Sequence, residues 1–497
     1  MKALIFDLDG TLWNTEKSYY YAFNKFLQNH PEDVSQMKLD VVEELRAITM
    51  DKMAPKLFPN DTPCVQHAKI LECLKYSCEY LKSEETVSKE VINSIKNLSK
   101  EFDLYIVSNC PFEYIDIFFN KCNLKENFKD VLALGGFTKT SDADKANNLK
   151  HIIDKYNLNK TDTFFIGDSH LDLLASQEAG CNFIYLTYND HFEKVIKQKI
   201  ANQLILNLCG YYKEYLYHDA SVVLMKNNNQ KEYKYLFGFL SLSKDDNINK
   251  EIFKQVEHDA KVQGAKYLVG PINYSSWFDY RLPIDNFDIS FIPDIKGTNS
   301  DILSLEKLGY KEVYTYASTL SSINTRLEKL SSKNRLSKEY YDELVTGDKV
   351  FDYTKEIFEV SSSCFKNGFL YSDVPYDVFN EIYMKWLRML PFSIDLYMIR
   401  SKTTNSLIAF GICYFDSINK MYVCKTAGIK EDHRKSSVVM QLAKIVYERT
   451  RYHNADRILF HFQNEQKNTL SAFWKNHIIL KKRYALFIKE INAWKHV

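Results

Sequence analysis

Short apolar runs alternate with helical patterns along the first third of the chain. Strands are predicted at residues 3–6, 102–110, 130–136 and 182–188, with a further strand that opens the strand–turn–helix stretch 162–180. Residues 15–100 and 143–158 are mostly helical in pattern, with breaks at Pro31, Pro55, Pro59 and Pro63. Strands separated by helices predict a parallel, doubly wound α/β sheet.

The pattern changes after about residue 195. It predicts a β-meander over 221–245, a helix then a strand over 250–270, 301–319 and 436–462, a hairpin over 407–429 and a last strand over 481–491. We therefore expect two related α+β units, residues 200–325 and 350–497. A polar connector that contains helix is predicted between them, at residues 326–349.

Composition narrows the class of protein. The 497 residues carry 65 Lys and Arg against 64 Asp and Glu, so the formal net charge is only +1. We expect neither a nucleic-acid nor a membrane partner, because no bulk field attracts one and no apolar run is long enough to span a bilayer. The ten cysteines lack metal-ligand spacing, and Met1 leads directly into a strand pattern. These features predict a cytoplasmic protein with free thiols.

Polar side chains follow three of the predicted strands. Asp7 and Asp9 come directly after the apolar strand 3–6, Ser108 and Asn109 end the next strand, and Asp168 ends a third. In parallel sheets, ligands bind at the carboxyl ends of the strands. One carboxylate there can attack phosphorus and a second can act as acid and base, while Mg²⁺ suits the gathered oxygens.

The sequence motifs resemble those of the haloacid-dehalogenase (HAD) superfamily of phosphohydrolases. The stretch DLDGT at 7–11 matches the first motif, SN at 108–109 the second, Lys145 the third and GDSHLD at 167–172 the fourth. The resemblance covers residues 1–195 and implies a Rossmann-like parallel sheet. It also implies a small helical cap at about residues 15–85, in which Lys52 and Lys56 are candidates to meet an anionic substrate.

The same resemblance implies a role for each motif residue. Asp7 is the nucleophile, Asp9 the acid and base, and Ser108 and Lys145 hold the transferring phosphoryl group; Lys139 is the rival to Lys145. Phosphate binding is assigned to Gly10, Thr11 and Asn109. The Mg²⁺ ligands are assigned to Asp7, Asp9, Asp168 and Asp172, with Asp172 supporting either the metal or Lys145.

The last unit resembles the GCN5-related N-acetyltransferase (GNAT) fold. The stretch AGIKEDHRKSSVVMQLAKIVYERT at 427–450 matches the strand, turn and helix that hold the CoA pyrophosphate at a helix N-terminus. This implies an acyl-CoA site, with acetyl-CoA as one candidate. Its residues are Ile429, Arg434, Lys435, Ser436 and Ser437.

Two departures from the GNAT pattern are visible. Val439 stands where the family has a very small residue, and Phe473 or Trp474 stands where many members have a tyrosine acid. The middle unit resembles a second, non-catalytic GNAT-like lobe. Its strand-end loop is predicted to expose Asn273, Trp277, Tyr280 and Arg281 along one wall of a shared cleft.

These resemblances predict a bifunctional biosynthetic enzyme. A Mg²⁺-dependent phosphatase of a small phosphorylated metabolite would be fused to an N-acyltransferase that acts on an amine. One alternative is a fusion that loads a glyceryl unit onto a carrier protein. The other is a phosphatase whose GNAT-like region is a non-catalytic binding module.

Overall fold

The chain forms two compact units, which are described here from a computed structural model. The structure describes residues 2–35, 50–133, 145–186, 188, 192–292, 294–323, 336–434, 436–465 and 470–491. The first unit spans Met1–Gln203 and the second spans Leu204–Val497. The predicted change of architecture near residue 195 therefore falls close to the boundary.

The first unit is built on a five-stranded sheet with the order β3-β2-β1-β4-β5. Every neighbouring pair is parallel, which confirms the predicted sheet. Residues 134–136 of the predicted third strand lie outside the described residues. The strands are β1 Ala3–Phe6, β2 Asp103–Ser108, β3 Asp130–Ala133, β4 Thr163–Gly167 and β5 Asn182–Tyr185.

Helices cover both faces of this sheet. The α-helices among the described residues are α1 Glu16–Asn29, α2 Met50–Leu57, α3 Pro63–Ser83, α4 Lys89–Leu98, α5 Phe112–Cys122, α6 Lys145–Lys155, α7 His170–Ala179 and α8 Phe192–Leu206. Short 3-10 helices span Pro31–Ser35, Lys125–Asn127 and Lys160–Asp162. Leu4 and Phe6 of β1 pack with α4, α5 and α8, while Ala3 and Ile5 pack with α6 and α7. Because successive strand residues point to opposite faces, the wholly apolar β1 is buried on both sides.

Helices α1, α2 and α3 form a separate helical layer with its own apolar cluster. Phe23 and Phe26 of α1 pack there against Met53 of α2 and Ile70 of α3. These helices occupy the range predicted for the cap. Residues 36–49 of that range lie outside the described residues.

The second unit is built on a larger sheet. Its strands are β6 Tyr211–Tyr217, β7 Ala220–Lys226, β8 Tyr235–Ser241, β9 Tyr267–Gly270, β10 Leu282–Pro283, β11 Lys311–Ser322, β12 Tyr340–Thr346, β13 Ile394–Ser401, β14 Leu407–Asp416, β15 Met421–Ile429, β16 Arg457–Asn464 and β17 Ile478–Glu490. The order is β12-β13-β14-β15-β16-β11-β17-β9-β8-β7-β6, and β10 pairs with β17. The predicted meander and the predicted 407–429 hairpin are both confirmed.

Two features of this sheet were not predicted. Strand β17, the last in the chain, lies between β9 and β11, so it joins strands from the two predicted units in one sheet. The predicted connector, residues 326–349, is described only from residue 336; there residues 340–346 form β12, which pairs with β13, and a 3-10 helix begins at Gly347. Alternation of exposed and half-buried side chains along β12 fits an edge strand.

The helices of the second unit complete the fold. Its α-helices among the described residues are α9 Asp246–Val262, α10 Asn299–Lys307, α11 Thr354–Phe365, α12 Tyr376–Phe379, α13 Lys385–Arg388 and α14 Ser436–Tyr452. A π-helical turn spans Asn380–Met384, and 3-10 helices span Gly347–Tyr353, Glu431–His433 and Leu470–His477. Within the described part of the chain, no helix has both the length and the apolar character needed to cross a bilayer. All ten cysteines are free thiols, as predicted.

Candidate active site

The carboxyl ends of three neighbouring strands bring the predicted polar residues together. Strand β1 lies between β2 and β4, and Phe6 is in register with Ile106 and Ile166. Each of Asp7, Ser108 and Asp168 comes one or two residues after one of these three paired residues along its own strand. Asp7 and Ser108 are buried, and Asp168 is half-buried. All three line one cavity.

Lys145, the first residue of α6, is a buried cation held by two carboxylates. Its Nζ lies 3.1 Å from Oδ1 of Asp7 and 2.5 Å from Oδ1 of Asp172. Burial acts to lower the pKa of Lys145, but the two carboxylates outweigh it and the pKa is raised. Lys145 is therefore a fixed positive charge beside Asp7.

Asp172 is oriented by the start of its own helix. Its backbone N–H donates to Ser169 Oγ, while its Oδ2 accepts from the backbone N–H and the hydroxyl of Ser169. This capping box leaves Oδ1 for Lys145. Asp172 is therefore locked in the position that pairs it with the ammonium.

Burial gives two carboxyl groups unusual acidities. Desolvation raises the pKa of Asp7 to about 7; Lys145 counteracts this effect, and Asp172 and Asp9 add to it. Desolvation likewise raises the pKa of Asp168 to about 6, with a smaller contribution from Asp172. The gathered negative charge favours a cation at this position.

The loop after β1 is a tight turn that brings Gly10 against Asp168. The carbonyl of Leu8 accepts hydrogen bonds from the N–H groups of Thr11, Leu12 and Trp13. Gly10 has a φ of +77°, and a Cβ there would lie 2.0 Å from Oδ2 of Asp168. Glycine is therefore required both by the backbone conformation and by the close contact.

Two side chains from the cap region hold Asp9. Thr15 donates to Oδ1 of Asp9 at 3.0 Å, and Tyr19 donates to Oδ2 at 3.1 Å. Asp9 lines the same cavity as Asp7. Its carboxylate therefore has a defined orientation beside Asp7.

One family profile matches most of the first unit. The family profile described as haloacid dehalogenase-like hydrolase matches residues 4–186. Residues 4–186 are a haloacid dehalogenase-like hydrolase domain. A phosphoglycolate phosphatase of Psychrobacter arcticus is 26% identical over 204 residues, which are 39% of this chain and 87% of that protein. One of Vibrio vulnificus is 30% identical over 95 residues, 19% of this chain and 41% of that protein.

The chain is also similar in part to a solved structure. The haloacid dehalogenase-like family hydrolase of Streptococcus pneumoniae is 16% identical to this chain and aligns with a TM-score of 0.32. The alignment covers 41% of this chain and 90% of that protein.

The cavity of the hydrolase domain has a volume of about 270 Å³. Its polar end is formed by the residues at the strand ends and by Lys145. The helical layer contributes a mostly apolar wall, with Ala22, Phe23, Met53, Ile70, Cys73 and Leu74. The cavity therefore joins a charged end to a largely apolar end.

The residues of the hydrolase domain fit a divalent cation. Carboxylate oxygens of Asp7, Asp168 and Asp172 lie within 4.8 Å of one another. Hard oxygen ligands of this kind suit Mg²⁺. The fourth predicted metal residue, Asp9, is not in this group, and its side chain is bonded to Thr15 and Tyr19. Asp172 belongs to the group although its oxygens are also bonded to Lys145 and Ser169.

Some of the remaining predicted residues of the hydrolase domain line the cavity and others do not. Asn109 lines the cavity, whereas Thr11 is fully buried and is not among the lining residues. Lys52 and Lys56 are exposed and are likewise absent from the lining. Lys139 lies outside the described residues.

Sequence reasoning missed a chain of hydroxyl groups beside the cavity. Tyr114 is hydrogen-bonded to Ser77, which donates to Ser18 at 2.8 Å, and Ser18 donates to the carbonyl of Thr15 at 2.6 Å. Together with Tyr19 these residues connect α1, α3 and α5. Only the helical spacing of Thr15, Ser18 and Tyr19 on one face could have pointed to it.

The predicted acyl-CoA residues lie around the start of α14 in the second unit. Arg434 is exposed and donates to the carbonyl of Ile429 at 3.3 Å. Ser437 is half-buried in the first turn of the helix. Lys435 and the side chain of Ser436 lie outside what the structure describes.

The strand-end loop of the predicted middle unit is less exposed than the sequence predicts. Arg281 was expected to be exposed, but only 5% of its surface is accessible. Trp277 packs against four aromatic rings. Asn273 accepts a hydrogen bond from the N–H of Phe239 at 2.7 Å. The prediction of an exposed wall is therefore wrong for Arg281, because neighbouring aromatic residues cover it.

Proposed function

We propose that the hydrolase domain is a Mg²⁺-dependent phosphatase that works through an aspartyl-phosphate. The observation that carries this proposal is the buried Asp7, which pairs with Lys145 at 3.1 Å at the polar end of the cavity. A nucleophilic carboxylate beside a fixed cation suits attack on a phosphate ester.

In the first step, an oxygen of Asp7 forms a bond to phosphorus and the ester P–O bond breaks. A proton from Asp9 passes to the leaving oxygen, which departs as an alcohol. Lys145 offsets the negative charge on the phosphoryl oxygens. Ser108 lines the same cavity, where its hydroxyl acts to lower the pKa of Asp7, and would donate to the phosphoryl group.

In the second step, water attacks the phosphorus of the aspartyl-phosphate. Asp9 takes a proton from that water, and the bond between phosphorus and the Asp7 oxygen breaks to release phosphate. Asp7, Asp168 and Asp172 would hold Mg²⁺, which supplies charge neutralisation when bound. Tyr19 and Thr15 keep Asp9 oriented in both steps.

The proposed substrate is a small phosphate monoester. The cavity of about 270 Å³ accommodates a small metabolite. The relatives named phosphoglycolate phosphatases make phosphoglycolate the first compound to test. The wall formed by Phe23, Met53, Ile70 and Leu74 favours an organic part that is apolar where it meets these side chains, and no lysine or arginine of the described cap residues lines the cavity.

Phosphate release by Asp7→Asn tests the proposal. An amide cannot serve as the nucleophile, so we expect turnover to fall by about a thousandfold or more on any phosphate monoester with Mg²⁺. The matched control is Asp154→Asn, which removes an exposed carboxylate from α6 and should leave the rate unchanged. Undiminished turnover by Asp7→Asn would disprove the nucleophile assignment.

We further propose that the second unit is a pair of GNAT-like lobes. Two parallel strand pairs, β8 with β9 and β15 with β16, support this proposal within an otherwise antiparallel sheet. The β15–β16 pairing stops after four residues, at Cys424 and Phe460, although both strands continue. Parallel strands that stop pairing can leave room between them, and the N-terminus of the helix that follows β15 offers backbone N–H groups, which suit the phosphates of an acyl-CoA.

A pair of substitutions tests acyl-CoA binding. Proline at Ser437 removes a backbone N–H from the first turn of α14 without breaking the helix. We expect Ser437→Pro to weaken CoA binding by about tenfold, whereas Ser437→Ala, which keeps the N–H, should bind normally. If neither the wild type nor any variant binds acyl-CoA by calorimetry, the second unit is a binding module instead.

A further inference from the structure

Arg281 is a deeply buried cation that forms no ion pair with a carboxylate among the described residues. Its Nε and Nη1 form no hydrogen bond within the part of the chain that the structure describes. Arg400, which is equally buried at 5% exposure, shows the ordinary arrangement, since it is bonded to Glu343 and Glu356. A buried guanidinium is costly unless its donors are satisfied. Among the described residues, Arg281 therefore lacks the carboxylate hydrogen bonds that Arg400 has.

Aromatic rings cover the faces of the Arg281 guanidinium. Its Cζ lies 3.7 Å from the ring centre of Tyr280, 3.8 Å from that of Phe462 and 4.6 Å from that of Tyr316. Such rings stabilise the positive charge through their faces. They do not accept hydrogen bonds in the plane of the guanidinium, where its N–H groups point. The in-plane donors are thus held in position for another acceptor.

Lys425 brings a second cation to the same ring. Its Nζ lies 5.4 Å from the centre of the Phe462 ring and 5.6 Å from that of Trp386. Burial, then Arg281, lowers the pKa of Lys425 to about 8. Asp279, whose own pKa is raised by burial, acts in the opposite direction. No carboxylate among the described residues forms an ion pair with Lys425 or Arg281. Two positive groups therefore lie at one aromatic ring, with Asp279 as a carboxyl group that partly offsets both charges.

The position of these cations in the sheet is also informative. Lys425 comes directly after Cys424, the last residue of β15 that pairs with β16, and Phe462 lies beyond the corresponding end on β16. Arg281 and Phe462 adopt φ angles of +74° and +49°, which ordinary residues rarely adopt. Strained residues persist where the surrounding structure enforces them, commonly at binding sites.

We propose that Arg281 and Lys425 form a binding site for an oxyanion group, a carboxylate or a phosphate, of a small-molecule ligand. The in-plane N–H groups of Arg281 would donate to the ligand's oxygens, and the ammonium of Lys425 would balance its charge. The ligand would lie in the opening where β15 leaves β16. This site is separate from the proposed phosphatase chemistry, and it does not require acyl-CoA binding.

Titration calorimetry with acetate and with inorganic phosphate tests the proposal on the full chain. We expect Lys425→Met and Arg281→Met each to weaken binding of at least one probe by about tenfold or more. The control is Lys420→Met, which removes an exposed lysine from the turn of the same hairpin. It should bind both probes as the wild type does.

The two probes identify the source of the oxyanion. Loss confined to acetate assigns a carboxylate, and loss confined to phosphate assigns a phosphate ester. Because phosphate also has a place in the hydrolase domain, the informative quantity is the difference between wild type and variant. Unchanged affinities for both probes in Lys425→Met and Arg281→Met would overturn the proposal.

A measurement on the wild type covers the case in which the variants do not fold. Crystals soaked in selenate and, separately, in 4-bromobenzoate are examined by anomalous diffraction. An anomalous peak for either probe with its oxygens against Arg281 and Lys425 supports the site. No peak at these residues from either probe overturns it.

Discussion

At the scale of single residues, the hydrolase site depends on how one lysine is partnered. Lys145 is 5% exposed and lies between Asp7 and Asp172. A buried pair of this kind is not in itself evidence of stability, since desolvation offsets the attraction. Removing the cation leaves two carboxylates close together and without compensation. The arrangement therefore makes charge balance a condition for both folding and phosphate binding.

Replacement of Lys145 tests this dependence. We expect Lys145→Met to lower the free energy of unfolding by about 3–5 kcal/mol, because the carboxylates of Asp7 and Asp172 stay buried without the cation that balances their charge. Urea denaturation in the presence of a chelator measures the change. The control is Lys150→Met, on the same helix as Lys145, which breaks an exposed ion pair with Glu178 of α7. It should lower the free energy of unfolding by only about 0–1 kcal/mol. Equal stabilities of the two variants would contradict this account.

At the scale of elements, the loop after β1 positions the site as much as the strands do. The carbonyl of Leu8 accepts three backbone hydrogen bonds, and Gly10 donates to the carbonyl of Trp13 at 2.8 Å. The carbonyl of Gly10 in turn accepts from the N–H of Tyr188. The loop is thus fixed on both sides, and it presses Gly10 against Asp168.

Two glycine substitutions separate backbone strain from crowding of the site. Gly10 and Gly180 have φ angles of +77° and +76°, so alanine should destabilise the fold at each by about 1 kcal/mol. Only at Gly10 would the new Cβ displace Asp168, since the nearest atoms to a Cβ at Gly180 lie 3.5 Å away. We expect Gly10→Ala to lose phosphatase activity by at least about tenfold, and Gly180→Ala to keep it. Similar rates for the two variants would show that the contact is unimportant.

At the scale of the whole molecule, the chain is two compact units, each with its own hydrophobic clusters. Separate cores allow separate unfolding transitions. The carboxylate cluster of Asp7, Asp168 and Asp172 lies in the first unit. Metal binding should therefore stabilise that unit and not the second.

Scanning calorimetry with and without Mg²⁺ measures this effect. At about a hundred times its dissociation constant, Mg²⁺ should stabilise the first unit by about 2.7 kcal/mol and raise its transition by about 5–10 °C. A chelator should reverse the shift, and Asp168→Asn should abolish it. A shift that persists in Asp168→Asn, or one confined to the second transition, would contradict the assignment of the metal residues.

The sequence by itself determined the architecture of the first unit and the polar end of its site. Alternating strand and helix patterns predict a parallel sheet, and such a sheet places the carboxyl ends of its strands at one edge. The sequence alone therefore predicts that Asp7, Ser108 and Asp168 lie close together, because each stands at the end of a predicted strand. In the second unit, the same local signals located the 407–429 hairpin and helix α14.

Contacts between distant segments were decided only by the tertiary structure. Tyr19 and Tyr114 reach the site because helices far apart in sequence pack over it, and periodicity does not say which helix packs where. The place of β17 between β9 and β11 depends on which strand edges are available for pairing, a non-local property. Arg281 meets Lys425 for the same reason: hydrogen bonding between strands and packing of aromatic rings act across the fold, whereas a sequence pattern reports only neighbours along the chain.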